Sequence, residues 1–258
     1  MILSVKNLNV TYNIHADPTK AVSDVSFELA ENSFCGLIGE SGSGKSTIIM
    51  TLLGLLPNGS CATGSVLYRG TEILNREEKY FNLRQKKIAL IPQGALNSFT
   101  PVLTIGAHIK EILELHLGVI GKDADTRIAE LLHETGLPAT IAQRYPHELS
   151  GGQKQRAAIA AALSCSPEII LADEPTTALD VVTQSSIVEL LKRLCRENKL
   201  TILLVTHDLP LAASVCENLF VMKDGILIEK GNPKAILTNP QMPHTKALVA
   251  AILKEDTL

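Results

Sequence analysis

The feature that most constrains this chain is a run of glycines between an apolar segment and a helix-forming one. Phe34-Cys35-Gly36-Leu37-Ile38 leads at once into Gly39-Glu40-Ser41-Gly42-Ser43-Gly44-Lys45-Ser46-Thr47, and then into Ile48-Ile49-Met50-Thr51-Leu52-Leu53. A buried strand that runs through a glycine loop into a helix, with the spacing G-x-x-x-x-G-K-S, is a cradle for phosphate. Glycine lets the backbone wrap closely around a polyphosphate and aim successive N–H groups at it. The helix that follows offers its N-terminus to the anion. Lys45 is placed to reach the β and γ phosphates, and the Ser46 hydroxyl to ligate Mg²⁺.

A second segment narrows the reading. Leu149-Ser150-Gly151-Gly152-Gln153-Lys154-Gln155-Arg156 opens a helix that continues Ala157-Ala158-Ile159-Ala160-Ala161-Ala162-Leu163. Ser150 is a good N-cap, and the two glycines leave the helix end bare. A bare, capped helix end is another anion site. Downstream of a phosphate cradle, this segment resembles the signature of the ATP-binding cassette (ABC) ATPases. In that family two cassettes face head to tail. Each ATP lies between the phosphate cradle of one and the signature helix of the other, here Ser150, Gly151, Gly152 and Gln153.

The other motifs of that family occur in order along the chain. Glu168-Ile169-Ile170-Leu171-Ala172-Asp173-Glu174 is a short apolar run ending in two acids. It reads as a buried parallel strand with carboxylates at its C-terminal edge, where open α/β sheets bind ligands. By resemblance, Asp173 helps to hold Mg²⁺ through water and Glu174 polarises the attacking water. Gln93, after the strand-like Ile88-Ala89-Leu90-Ile91, resembles the Q-loop glutamine, whose amide oxygen contacts Mg²⁺ and whose loop reports ATP to a partner. His207, after Thr201-Ile202-Leu203-Leu204-Val205-Thr206, matches the switch histidine that contacts the γ phosphate. Ala178-Leu179-Asp180 resembles the D-loop, which crosses the dimer interface. Tyr12, closing the first strand, matches the adenine-stacking aromatic, and a ring face there contributes about 1 kcal/mol. The resemblance thus implies Lys45, Glu174 and His207 as the hydrolytic set. It implies Ser46, Gln93 and Asp173 around Mg²⁺, and Tyr12, Gln93 and residues 39–47 around ATP.

The 258 residues fit one large α/β domain with an inserted subdomain, and 45% hydrophobic against 20% charged residues is ample for a core. A net charge of −3, 3% aromatics and no Trp argue against nucleic-acid partners. The Arg84-Gln85-Lys86-Lys87 cluster reads as a solvated turn. Five scattered cysteines with no C-x-x-C pair suit a reducing cytosol, and Cys35 and Cys195 read as small core residues. Ile2-Leu3-Ser4-Val5 begins a strand at once, so no signal peptide is expected, and no run is long enough to span a bilayer. Any channel must come from other chains.

Alternation over residues 2–29 predicts antiparallel strands, and Ser65-Val66-Leu67-Tyr68 a further one. From about Thr104 to Tyr145 the pattern turns helical, with Ile105, Ile109, Ile112, Leu113 and Leu117 as one stripe and Ile128, Leu131 and Leu132 as another. Strand–helix alternation returns over 166–231, with Ile187, Leu190, Leu191 and Leu194 marking a helix and Asp224-Gly225 a hairpin turn. The resemblance implies a P-loop ATPase fold with a mixed sheet core and an N-terminal antiparallel β subdomain. Residues 1–103 and 166–258 form that core, and an inserted helical subdomain over about 104–165 carries the signature.

A cassette with no fused membrane helices resembles the import systems of bacteria and archaea. Ile91-Pro92-Gln93-Gly94-Ala95-Leu96-Asn97-Ser98, Glu174-Pro175-Thr176-Thr177-Ala178-Leu179-Asp180-Val181 and Asn239-Pro240-Gln241-Met242-Pro243-His244-Thr245-Lys246-Ala247-Leu248 are similar to the dipeptide, oligopeptide and nickel importer ATPases. Thr100-Pro101 stands where that group often has Asn-Pro. Many peptide-importer ATPases of this group bear a cysteine cluster for an iron–sulfur centre, which has no counterpart here after Cys216. That is more like the nickel or metal-chelate branch, but some peptide systems also have short subunits. The implied function is therefore an importer ATPase for peptides or for nickel or metal chelates. The implied partners are ATP with Mg²⁺, a second ABC ATPase subunit, two membrane permease subunits and, indirectly, an extracytoplasmic solute-binding protein. The implied location is the cytoplasmic face of the membrane. An exporter or lipid-handling ATPase is the alternative.

Overall fold

A computed structural model of the protein describes residues 1–14, 17–94 and 98–255. In chain order the strands are β1 (Leu3–Tyr12), β2 (Thr19–Leu29), β3 (Phe34–Ile38), β4 (Cys61–Tyr68), β5 (Thr71–Glu72), β6 (Ile88–Ile91), β7 (Ile169–Asp173), β8 (Thr201–Thr206), β9 (Asn218–Lys223) and β10 (Ile226–Gly231). The α-helices are α1 (Lys45–Leu53), α2 (Glu77–Leu83), α3 (Ile105–Leu117), α4 (Gly121–Glu134), α5 (Gly151–Leu163), α6 (Val181–Glu197), α7 (Leu209–Val215), α8 (Pro233–Thr238) and α9 (Pro243–Glu255). They fall into two compact units, Met1–Asn82 with Thr201–Leu258, and Leu83–Leu200.

The first unit holds an antiparallel sheet in the order β2-β1-β4-β5. Leu3, Val5, Leu8 and Val10 of β1 are all buried. The step from Val5 to Leu8 breaks the two-residue period. A register shift lies there, with Asn7 at φ 48°, so a bulge keeps the apolar side chains on one face. The same unit contains a parallel set in which β3 lies between β8 and β9. All five residues of β3 and all six of β8 are buried, as a parallel strand covered on both faces requires. β10 pairs antiparallel with β9. The expected hairpin joins them, with Asp224 at φ 48° and Gly225 at φ 78°, the double left-handed turn that suits strand twist.

The second unit pairs β6 with β7 in parallel and contains α3 to α6. The expected helical stripes are present, except that Leu117, in the last turn of α3, is exposed. Ile105, Ile109 and Leu113 of α3 and Ile128, Leu131 and Leu132 of α4 are buried, each apolar side chain removed from water contributing about 1.5–3 kcal/mol. Thr104 caps α3 by accepting from the Ala107 N–H. The chain around Arg84–Lys87 differs from the expected solvated turn. Arg84, Gln85 and Lys86 are half-buried, and the Gln85 amide donates to the Ala161 carbonyl at the end of α5 at 2.9 Å. The last turn of a helix leaves carbonyls unpaired, and Gln85 satisfies one of them. Cys35 and Cys195 are buried as expected, whereas Cys61 is exposed. Among the described residues no helix is long and apolar enough to cross a membrane.

Candidate functional site

Each unit carries part of the expected site, and in each the strand register brings the residues together. In the first unit Ile38 is the register partner of Thr206. The chains leaving β3 and β8 therefore start at the same level, one as Gly39 and the other as His207. His207 is exposed there, at the C-terminal edge of parallel strands, where α/β sheets present their ligand-binding loops. Gly44 ends the phosphate loop at φ 98°, and a methyl group on it would lie 2.6 Å from the Ala21 carbonyl oxygen. Only glycine fits both the left-handed backbone and that approach.

Lys45 is the first residue of α1 and is 5% exposed. Its ammonium donates to the Gly39 and Glu40 carbonyls at 2.7 Å each and to the Ser43 hydroxyl at 3.4 Å. The loop is thus wrapped around a buried positive charge, whose charge-assisted bonds are the strong kind. Glu40, Ser41, Gly42 and Ser46 are exposed around it. Tyr12 closes β1, and its hydroxyl donates to, or accepts from, the Thr47 hydroxyl at 3.0 Å. The adenine-stacking candidate is therefore tied to the first turn of the phosphate-loop helix.

In the second unit Ile91 is the register partner of Ala172. Two residues further on, Gln93 and Glu174 stand opposite one another. The Gln93 amide donates to the Glu174 carboxylate at 3.0 Å, and the Thr177 hydroxyl donates to the same oxygen at 2.9 Å. Glu174 has φ 44°, a left-handed conformation that costs a side-chain-bearing residue on the order of 1–3 kcal/mol and gathers at functional sites. Asp173, the last residue of β7, is 6% exposed. Ala95, Leu96 and Asn97, part of the segment similar to the importer ATPases, lie outside the described residues.

The signature helix α5 begins as the sequence predicts. The Ser150 hydroxyl accepts from the Gln153 N–H at 3.3 Å, and the Gln153 side chain accepts from the Ser150 N–H at 3.0 Å. This reciprocal cap holds the first turn, in which Gly151 and Gly152 stand. Asp180 caps α6. Its carboxylate accepts from the Thr183 hydroxyl at 2.7 Å and the Thr183 N–H at 2.9 Å, and these bonds hold its carboxyl below the usual range.

The first unit therefore brings together Tyr12, residues 39–47 and His207. The second holds Gln93, Asp173, Glu174, Ser150–Gln153 and Asp180. Sequence reasoning missed Thr47 and Thr177 as the partners of Tyr12 and Glu174. A hydroxyl three residues after Glu174, in Pro175-Thr176-Thr177, was the available signal for the second.

Residues 22–177 match the ABC transporter family. The chain belongs to that family. It is 39% identical over 98% of its length to a dipeptide transport ATP-binding protein of Caldanaerobacter subterraneus, covering 79% of that protein. It is 38% identical over 99% of its length to the oligopeptide transport ATP-binding protein OppD of Escherichia coli, covering 77% of it. Among solved structures, the cassette MJ0796, in a dimeric post-hydrolysis state bound to ADP and Pi, aligns with TM-score 0.79 and 32% identity over 90% of this chain and 98% of its own. The mixed α/β architecture, with its antiparallel N-terminal sheet and helical insertion, is that of an ABC ATPase, and the protein hydrolyses ATP.

Proposed function

We propose that this ABC ATPase powers the import of peptides, with nickel or another metal chelate as the second cargo reading. The observation that carries this is the similarity, over nearly the whole chain, to dipeptide and oligopeptide transport ATP-binding proteins. All the motif residues needed for a complete site half are present, from Tyr12 to His207.

ATP binds with its adenine on Tyr12 and its phosphates in the loop of residues 39–47. Lys45 stabilises the charge that develops on the β and γ phosphates. The Ser46 hydroxyl, the Gln93 amide oxygen and the Asp173 carboxylate are hard oxygen donors, a set that suits Mg²⁺ carried in with the nucleotide. Glu174, aimed by Gln93 and Thr177, takes the proton of the attacking water, and His207 contacts the γ phosphate. The signature residues Ser150–Gln153 and Asp180 act across a head-to-tail dimer on the ATP of a second ABC ATPase subunit. Residues 1–103 and 166–258 act as the catalytic core, and about 104–165 as the helical subdomain. Two separate membrane subunits form the channel, a solute-binding protein delivers cargo, and this chain sits at the cytoplasmic face.

The test uses the transporter assembled with its own membrane subunits in liposomes. Binding protein loaded with peptide should raise ATP turnover several-fold over unloaded protein. Stimulation by a loaded nickel chelate alone assigns the metal branch. Stimulation by neither, in a complex with basal turnover, sinks the import reading.

A further inference from the structure

The two segments that the proposed dimer sends across to the partner's ATP are joined to each other inside this chain. Gly152 of the signature helix lies directly against Thr183 of α6, and a methyl group on Gly152 would fall 2.8 Å from the Thr183 methyl carbon. No real pair of carbons sits that close without one moving. Thr183 has little room to move, because Asp180 accepts from both its N–H and its hydroxyl. One helical turn further along, Arg156 of α5 donates to the Ser186 hydroxyl of α6 at 2.6 Å. The other guanidinium nitrogen of Arg156 donates to the Thr135 carbonyl at 2.8 Å. Positions 152 and 156 share one face of α5, and 183 and 186 share one face of α6. The two contacts are therefore successive rungs of one helix–helix seam.

We propose that Thr183 is a positioning residue for ATP hydrolysis, transmitting the placement of Asp180 to Gly152 so that the D-loop and the signature helix are presented together. This rests on the shared-site reading above. The hydroxyl of Thr183 fixes its rotamer on Asp180, and its methyl sets the distance to α5. Arg156 and Ser186 keep the helices from rotating about that contact. A displacement of Asp180 then carries the signature end with it, since packed interiors shift as blocks and do not deform continuously. Gly152 is needed on this account for a reason inside its own chain, separate from any contact with nucleotide.

Four variants test this in the assembled transporter, with folding checked by thermal unfolding. Gly152→Ala should lower kcat, because its added methyl meets Thr183 and shifts the signature end of α5. Thr183→Ser deletes the methyl facing Gly152 but keeps the hydroxyl on Asp180, and alone it should cost at most a few-fold. The double variant Gly152→Ala/Thr183→Ser should regain about ten-fold in kcat over Gly152→Ala, which equals ~1.4 kcal/mol of coupling between touching residues. Thr183→Val keeps the methyl and loses the hydroxyl, and should lower kcat while KM holds. Full activity of Gly152→Ala, or a double variant no better than Gly152→Ala, overturns the proposal. So does a Thr183→Val protein indistinguishable from wild type. The shared-site reading is tested separately by mixing Lys45→Ala with Ser150→Arg protein. Return of activity in mixed dimers supports sharing. No return, with an active wild-type dimer, sinks sharing, while the rescue of Gly152→Ala by Thr183→Ser still reports the seam within one chain.

Discussion

Replacing Glu174 with Gln separates the charge of this side chain from its contacts. One carboxylate oxygen accepts from both Gln93 and Thr177, at 3.0 and 2.9 Å. The single carbonyl oxygen of Gln can accept both, in a side chain of the same length. The left-handed backbone at φ 44° costs Gln and Glu alike, so strain cancels in the comparison. What changes is the pair of bonds from charge-assisted to neutral, a difference of about 1 kcal/mol each, discounted because Gln93 is exposed. The folded state should therefore lose no more than about 1–2 kcal/mol. The chemical step loses the group that accepts the proton of water. A positioned general base is worth 10²–10⁴-fold in rate, roughly 2.7–5.4 kcal/mol of barrier. Turnover should fall by roughly that factor, with ATP affinity within about three-fold of wild type, since a residue that acts only in the transition state leaves ground-state binding alone. Single-turnover hydrolysis, nucleotide titration and thermal unfolding on the same preparation make the comparison, and size-exclusion chromatography with Mg-ATP should show a closed dimer accumulating. A well-folded Glu174→Gln transporter that hydrolyses ATP within ten-fold of wild type would refute the assignment, because ten-fold lies below the least that a general base supplies.

Tyr12→Ala should raise KM for ATP by ten-fold or more with kcat little changed. Sequence alone makes Tyr12→Phe silent, but the hydroxyl pair with Thr47 adds about 1 kcal/mol, so Phe should cost about five-fold, and Thr47→Val the same. A Phe variant as impaired as Ala would show that the ring does not stack on adenine. Acid stability should depend on Glu72. Its partial burial pushes the carboxyl up, but bonds from the Ser65 hydroxyl and the Val66 and Leu74 N–H groups more than offset this and hold it below the usual carboxylate range. With the folded value depressed, the stabilisation is present above the unfolded carboxylate range and is lost as pH falls through the lowered folded value. Wild type should lose unfolding midpoint faster than Glu72→Gln across that interval, and parallel curves would remove Glu72 from the account.

The phosphate loop was legible because its demands are local. The left-handed turn at Gly44, the helix start at Lys45 and the strand before them are each written in neighbouring residues. The same holds for the reciprocal cap of Ser150 and Gln153, a pairing three residues apart, and for the Asp224-Gly225 hairpin. Helical stripes in α3, α4 and α6 were readable because burial follows the helical period. The half-buried Arg84–Lys86 turn was not, because its burial depends on Gln85 finding the open carbonyls of α5, which begins 66 residues later.

Sequence alone determined which residues are chemically able to hold a triphosphate and its ion, since that ability resides in side-chain type and in backbone geometry a few residues long. Tertiary structure decided which of them meet. Ile38 opposite Thr206 brings His207 level with the phosphate loop, and Ile91 opposite Ala172 sets Gln93 against Glu174. Likewise, Tyr12 reaches Thr47 across 35 residues, and Gly152 rests on Thr183. The physical reason is that strand register and helix seams are settled by packing between segments distant in the chain. A slip of one residue in either strand pairing would preserve every motif and misalign the residues that the register brings level.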